Sequence, residues 1–91
     1  VNRIADVMVI HVDGCSEVHE AQLASCDYSE IDKRTKDYMA AGVGEVIWWL
    51  GGEANSEPNR EWCRKNYGYV ATMEIETEYH TVQLGAYTDD D

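Results

Sequence analysis

The sequence predicts an α/β fold built on a mixed central sheet, in the order β-β-α-β followed by a second helix and further strands, with the two helices flanking the sheet. Three observations carry this prediction. Short β-branched or apolar runs alternate with segments of helical period; cap residues and glycines stand at the ends of those segments; and one run, Glu45 to Leu50 (EVIWWL), lies between Gly44 and Gly51. That run is too short for an ordinary helix and suits a central strand.

The first segment, Ile4 to Val12 (IADVMVIHV), is a nearly continuous apolar run interrupted by one charge, Asp6, and fits a strand buried on both faces. Asp13 to Ser16 form a turn. Glu17 to Ser25 (EVHEAQLAS) alternates as the returning strand of a hairpin, which puts Glu20 and Gln22 on one face. Asp27 followed by Glu30 has capping-box spacing, so a helix is expected from Tyr28 to Ala41, stopped at Gly42, with Ile31, Thr35, Tyr38 and Met39 on one stripe. Ser56, Glu57 and Pro58 form the cap and first turn of a second helix running to about Asn66, closed by Gly68 and burying Trp62 and Cys63. Tyr69 to Tyr87 alternates again and reads as two strands, and Asp89, Asp90 and Asp91 form an acidic end.

A length of 91 residues fits one domain spanning 1–91, and a chain of this size buries roughly 60 to 65 per cent of its unfolded surface. No apolar run reaches the roughly 18 residues of a membrane helix. With no leader-like first segment, a cytoplasmic location is the expectation. Cys15, Cys26 and Cys63 are odd in number and without a CxxC pair, as expected of reduced thiols. Eighteen acidic against seven basic residues leave a net charge of −11. Such a surface opposes non-specific nucleic-acid binding, which comes mainly from Lys and Arg on phosphates.

A carboxylate inside an apolar strand needs a cation, a metal or a proton, because burying an unpaired charge is costly. Asp6 is that case, and a hairpin can bring Glu20 to the same spot. Two such groups make a hard oxygen site suited to Mg²⁺ or Mn²⁺, completed by water and phosphate oxygens. On spacing alone a second reading stands beside this one: Asp6 caps a strand start and Glu20 faces solvent on an edge strand. His11 and His19 fall on the opposite parity from Asp6 and Glu20 and are left out of the site. The Trp48-Trp49 pair offers rings for base stacking, although a run of Val, Ile and Leu takes at least one of them into the core. Gly51-Gly52 is a loop without the Lys and Ser or Thr of a phosphate-binding loop.

The linear pattern of Asp6, then Glu20-Ala21-Gln22, then Arg34-Thr35-Lys36-Asp37-Tyr38, then Val46-Ile47-Trp48-Trp49-Leu50 resembles the competence protein CoiA family, whose nuclease domain belongs to the PD-(D/E)xK superfamily. The similarity covers about Arg3 to Gly52. It implies a restriction-endonuclease-like core and metal-dependent hydrolysis of DNA phosphodiesters. By the same resemblance Asp6 and Glu20 ligate the metal with the peptide carbonyl of Ala21, Gln22 stands where many relatives carry Lys, Arg34 contacts the scissile phosphate, and Tyr38 belongs to the same helix motif. Ala24 and Ala5 depart from the common Ser and Pro.

A helix ahead of the first strand, which in the superfamily often supplies another acidic ligand, is expected to be missing. The chain is then a minimal version, a fragment, or one completed by a partner protein; a homodimer is the other expected assembly. The small basic groups Lys33, Arg34, Lys36 and Arg60, Arg64, Lys65 are the counterweight to the net charge, and the first is expected to face substrate. The alternative function is a non-catalytic module of the same fold, whose acidic surface binds a basic protein or mimics nucleic acid.

Overall fold

A computed structural model describes residues 6–76, 78–79 and 81–88. Two strands open it, β1 (Val7–Ile10) and β2 (Ser16–Gln22), paired antiparallel with Val7 opposite His19 and Ile10 opposite Ser16. The first strand ends two residues earlier than expected, because the His11 N–H donates to the Cys15 carbonyl at 2.8 Å and the Gly14 N–H to that of His11 at 2.9 Å. These bonds close the loop, with Gly14 in the left-handed region at φ 91°. The expected residues Ile4 and Ala5, and the acidic end 89–91, lie outside the described residues.

Helix α1 (Tyr28–Ala40) begins where the cap chemistry predicts, the Asp27 side chain accepting from the Glu30 N–H at 3.2 Å. Only half of the capping box closes: Glu30 turns its carboxylate to Arg34 instead, 3.3 Å from Nε. Ile31 and Tyr38 are buried and Thr35 is half-buried, whereas Met39 is 50% exposed and leaves the expected stripe. Strand β3 (Glu45–Leu50) lies parallel to β2, with Glu20 opposite Trp48 and Gln22 opposite Leu50. A short 3-10 turn at Gly52–Ala54 follows. Here Gly52 has φ 51°, and a Cβ would stand 2.7 Å from the Leu23 carbonyl oxygen, so only glycine fits.

Helix α2 (Glu57–Tyr67) is capped by Ser56 and ends at Gly68 in the left-handed conformation. Its core contact is Cys63, fully buried, while Trp62 is half-buried between the rings of Tyr28 and Tyr67. Unexpectedly Asn59 is buried too, satisfied through Nδ2 by the carbonyls of Cys26 at 2.8 Å and Ala54 at 3.0 Å. Strand β4 (Tyr69–Glu76) runs parallel to β3, and β5 (Thr81–Thr88) returns antiparallel along β4.

The sheet is therefore mixed and five-stranded, in the order β1-β2-β3-β4-β5. Both parallel crossovers step the same way across it, and right-handed crossovers then put both helices on one face. The side chains agree. Val18 packs with Tyr38 and Val43, and Trp48, Leu50 and Val70 pack with Ile31 and Cys63. Burying a side chain such as Ile31 or Leu50 contributes roughly 1.5–3 kcal/mol. The alternate residues of every strand point to the other face, which neither helix covers. No helix among the described residues is long and apolar enough to cross a membrane.

Candidate functional site

The hairpin register brings the two carboxylates together. With Val7 opposite His19, one step further along the ladder sets Asp6 beside Glu20, and the Asp6 backbone N–H donates to Glu20 Oε2 at 3.2 Å. Glu20 is 6% exposed. Its other oxygen, Oε1, accepts from the Tyr38 hydroxyl at 3.1 Å. The alternative in which Glu20 faces solvent is overturned by this burial, because the even face of β2 is the one that α1 covers.

Asp6 is held differently: it is exposed and stands one residue ahead of β1, so it is not the carboxylate buried inside the first strand that was expected, and its position matches the alternative in which it caps the strand start. Its Oδ2 accepts the Ala21 N–H at 2.7 Å, a charge-assisted bond that fixes the carboxylate beside β2. Within a strand a residue's N–H and C=O point toward the same neighbour, so the Ala21 carbonyl shares that edge with Asp6.

Gln22 lies two residues beyond Glu20 on the same face, where its side-chain oxygen accepts from Arg34 Nη1 at 3.2 Å and its Nε2 donates to the Ala24 carbonyl at 3.0 Å. Arg34 also donates through Nε to Glu30 and stands 6.0 Å from the Trp48 ring centroid. These bonds use two of the five guanidinium N–H donors. Asp6, Glu20, Ala21, Gln22, Arg34 and Tyr38 thus stand together at the end of the β1–β2 hairpin and the inner side of α1.

The other basic residues go elsewhere. Lys36 pairs with Asp32 at 2.8 Å, and Arg64 and Lys65 both pair with Glu61. Arg60 donates to Asn55 and lies over the Tyr87 ring. Of the first basic group, Arg34 is the member bonded into the site. Trp48 is core, its Nε1 donating to Thr35 Oγ1 at 2.9 Å, so it offers no free ring for stacking.

A group that the sequence reading passed over lies on the far side of the sheet. The Trp49 Nε1 donates to His19 Nδ1 at 3.0 Å, and His19 Nε2 lies 3.4 Å from Glu17, whose other oxygen is 3.8 Å from His11. The signal was the odd parity of Glu17, His19 and Trp49 on adjacent strands.

The donor set of the carboxylate pair is hard oxygen, which fits Mg²⁺ or Mn²⁺ and not a soft-ligand metal. Among the described residues no group of three or more His, Cys, Asp or Glu is arranged to hold a metal. A cation here would rest on Asp6, Glu20 and the edge carbonyl, and take its remaining ligands from water or phosphate, as Mg²⁺ commonly does. The nearby thiols offer no competing nucleophile. Burial pushes Cys26 up despite the Arg34 charge, and burial raises Cys63 to about 12, so both are neutral thiols at pH 7. All three cysteines are free. Comparisons of the chain with family models, with curated proteins and with solved structures give no match.

Proposed function

We propose that this chain is a metal-dependent nuclease core of restriction-endonuclease-like, CoiA-like type, acting on DNA phosphodiesters with Mg²⁺ or Mn²⁺. The observation that carries the reading is the convergence of a nearly buried Glu20 on β2 with Asp6, just ahead of β1, and with Arg34 of α1, bonded to Gln22 two residues further along the same face of β2. A bound cation would activate water and offset charge developing on the phosphate.

The chain's own residues do the positioning. Tyr38 and the Asp6 N–H orient the Glu20 carboxylate, since both donate to it. The Ala21 N–H does the same for Asp6. Gln22 and Glu30 hold Arg34 so that its remaining donors are free for phosphate oxygens, the planar fork matching two oxygens at once. Gln22 itself, engaged at both ends of its amide, acts through Arg34.

A second reading has one observation in its favour. Both Glu20 oxygens already accept hydrogen bonds from neutral donors, as a carboxylate would in a non-catalytic module whose acidic surface binds a basic protein.

Cleavage of labelled single-stranded, duplex and branched DNA with Mg²⁺ or Mn²⁺ separates the two, comparing the chain with Glu20→Ala and Glu20→Gln. The nuclease reading expects metal-dependent cutting lost in both variants, with Glu20→Gln keeping the native circular dichroism spectrum. Absence of cutting, or equal cutting by all three proteins, favours the interaction module.

A further inference from the structure

The uncovered face of the sheet carries apolar side chains on all five strands, with Glu17, His19 and Glu45 at one end. Strand β3 is parallel to both its neighbours and apolar on both sides, the composition of a strand that has helices or another layer on each face. Only one of its faces is covered here. On the other, Val7, Val9, Ile47, Trp49, Met73 and Leu84 lie at matching parity, and together with His19, Ala21 and Asp6 most of them line a depression of about 310 Å³. Val7 is 55% and Leu84 65% exposed. A continuous apolar surface of this kind on a small protein marks a contact site.

Charge says what fits there. The five strands carry no Lys or Arg; six of the seven, Lys33, Arg34, Lys36, Arg60, Arg64 and Lys65, belong to the two helices on the opposite face, and the seventh, Arg3, lies outside the described residues. The carboxylates at the open face are Asp6 on the depression, Glu17 beside His19, and Glu45 opposite Glu17. A second copy of the chain would bring its own acids against these with no Lys or Arg from the described strands between them, in a pair of molecules each at −11. Like charges set against each other in an interface are strongly disfavoured. A helix with one apolar stripe and Lys or Arg along its flanks meets both demands: it covers the rings and methyl groups and places cations on Asp6 and Glu17.

We infer that the open face is a docking surface for a cationic amphipathic helix of another protein. The eight residues of β4 span roughly 26 Å at ~3.3 Å each, matched by about 17 helical residues at ~1.5 Å rise. Asp6 borders the depression and also belongs to the carboxylate pair, so the docked helix lies against the candidate site. This inference stands whether or not that site hydrolyses DNA.

The test uses a Leu/Lys peptide of about 17 residues with Leu at i, i+3, i+4 and i+7, titrated against the chain and followed by Trp fluorescence and calorimetry. Two controls accompany it: a scrambled peptide of the same composition, and a Leu/Glu peptide of the same pattern. Saturable one-to-one binding of the first peptide, at least about tenfold weaker for either control, is the expected result. The exposed substitution Leu84→Lys should weaken it about tenfold or more, while Met39→Lys on the outer side of α1 leaves it unchanged. Equal binding of all three peptides, no binding, or indifference to Leu84→Lys would overturn the inference. So would sedimentation showing a dimer of the chain that Leu84→Lys dissociates, which would assign the face to a second copy.

Discussion

The two faces of one sheet are built on opposite terms. Under the helices, polar groups are few and bonded: Glu20 to Tyr38, Gln22 to Arg34, Trp48 to Thr35, Asn59 to two carbonyls. On the reverse, the same strands present Val7, Trp49, Met73 and Leu84 with acids at the margin. Adjacent residues of a strand, Glu20 and Ala21 or Trp48 and Trp49, serve different layers. The lesson is that a charge belongs in this core only where a neighbouring element supplies its partners, whereas apolar surface left without a layer is available for binding.

The contrast is sharpest in truncations. Leu50→Ala, fully buried on the helix side, should cost about 2–5 kcal/mol, while Leu84→Ala on the open face should stay within about 0.5 kcal/mol. Urea midpoints of the two variants check this, and similar losses for both would mean that the open face is covered in solution. Next in size is Tyr38→Phe, which strips a donor from a buried carboxylate and should cost about 1–3 kcal/mol in the same assay.

Alkaline pH probes burial from another direction. Cys63 is raised to about 12 from an ordinary 9.0, and burial lifts Tyr69 to about 12 from 10.0. A folded-state value above the unfolded one means that the native state binds the proton more tightly. That stability is complete below about pH 9 and lost progressively as pH rises toward 12. Urea unfolding under reducing conditions should therefore show declining stability from about pH 9, with Cys63→Ala removing the earlier part of the decline. A flat profile would show that neither group is sequestered.

The smallest effect belongs to the helix cap. The Ser29 hydroxyl, followed by the Glu30 N–H, holds the Asp27 carboxyl below the usual carboxylate range. Its contribution is present above about pH 4 and lost as pH falls below that. Asp27→Ala should lower stability at neutral pH and do so less once the carboxyl is protonated, as acid-range urea titrations would show.

Much of this arrangement was legible in the residues. Local signals were the most reliable: Asp27 and Ser56 as caps, Gly68 as a helix stop, and the glycine-bounded run of β3 all describe bonds made within a few residues. The two-residue period of strands was enough to set Glu20 and Gln22 on one face and His19 on the other. Met39 was misplaced because a helical stripe fixes direction but not how far the sheet extends beneath it. Asn59 was invisible since its burial depends on carbonyls of Cys26 and Ala54 that only the tertiary fold brings near. The open face was missed because periodicity marks a strand as apolar on both sides without saying whether both sides are filled.

The central claim is that Asp6 and Glu20 form one divalent-cation site, and binding of Mn²⁺ tests it apart from any cleavage. Calorimetric titration of the chain with Mn²⁺, beside Asp6→Asn and Glu20→Gln, should give one site in the unaltered protein and a large loss of affinity in each variant. Absence of binding, or equal affinity in all three, would contradict the account and leave the carboxylate pair a structural feature of the hairpin.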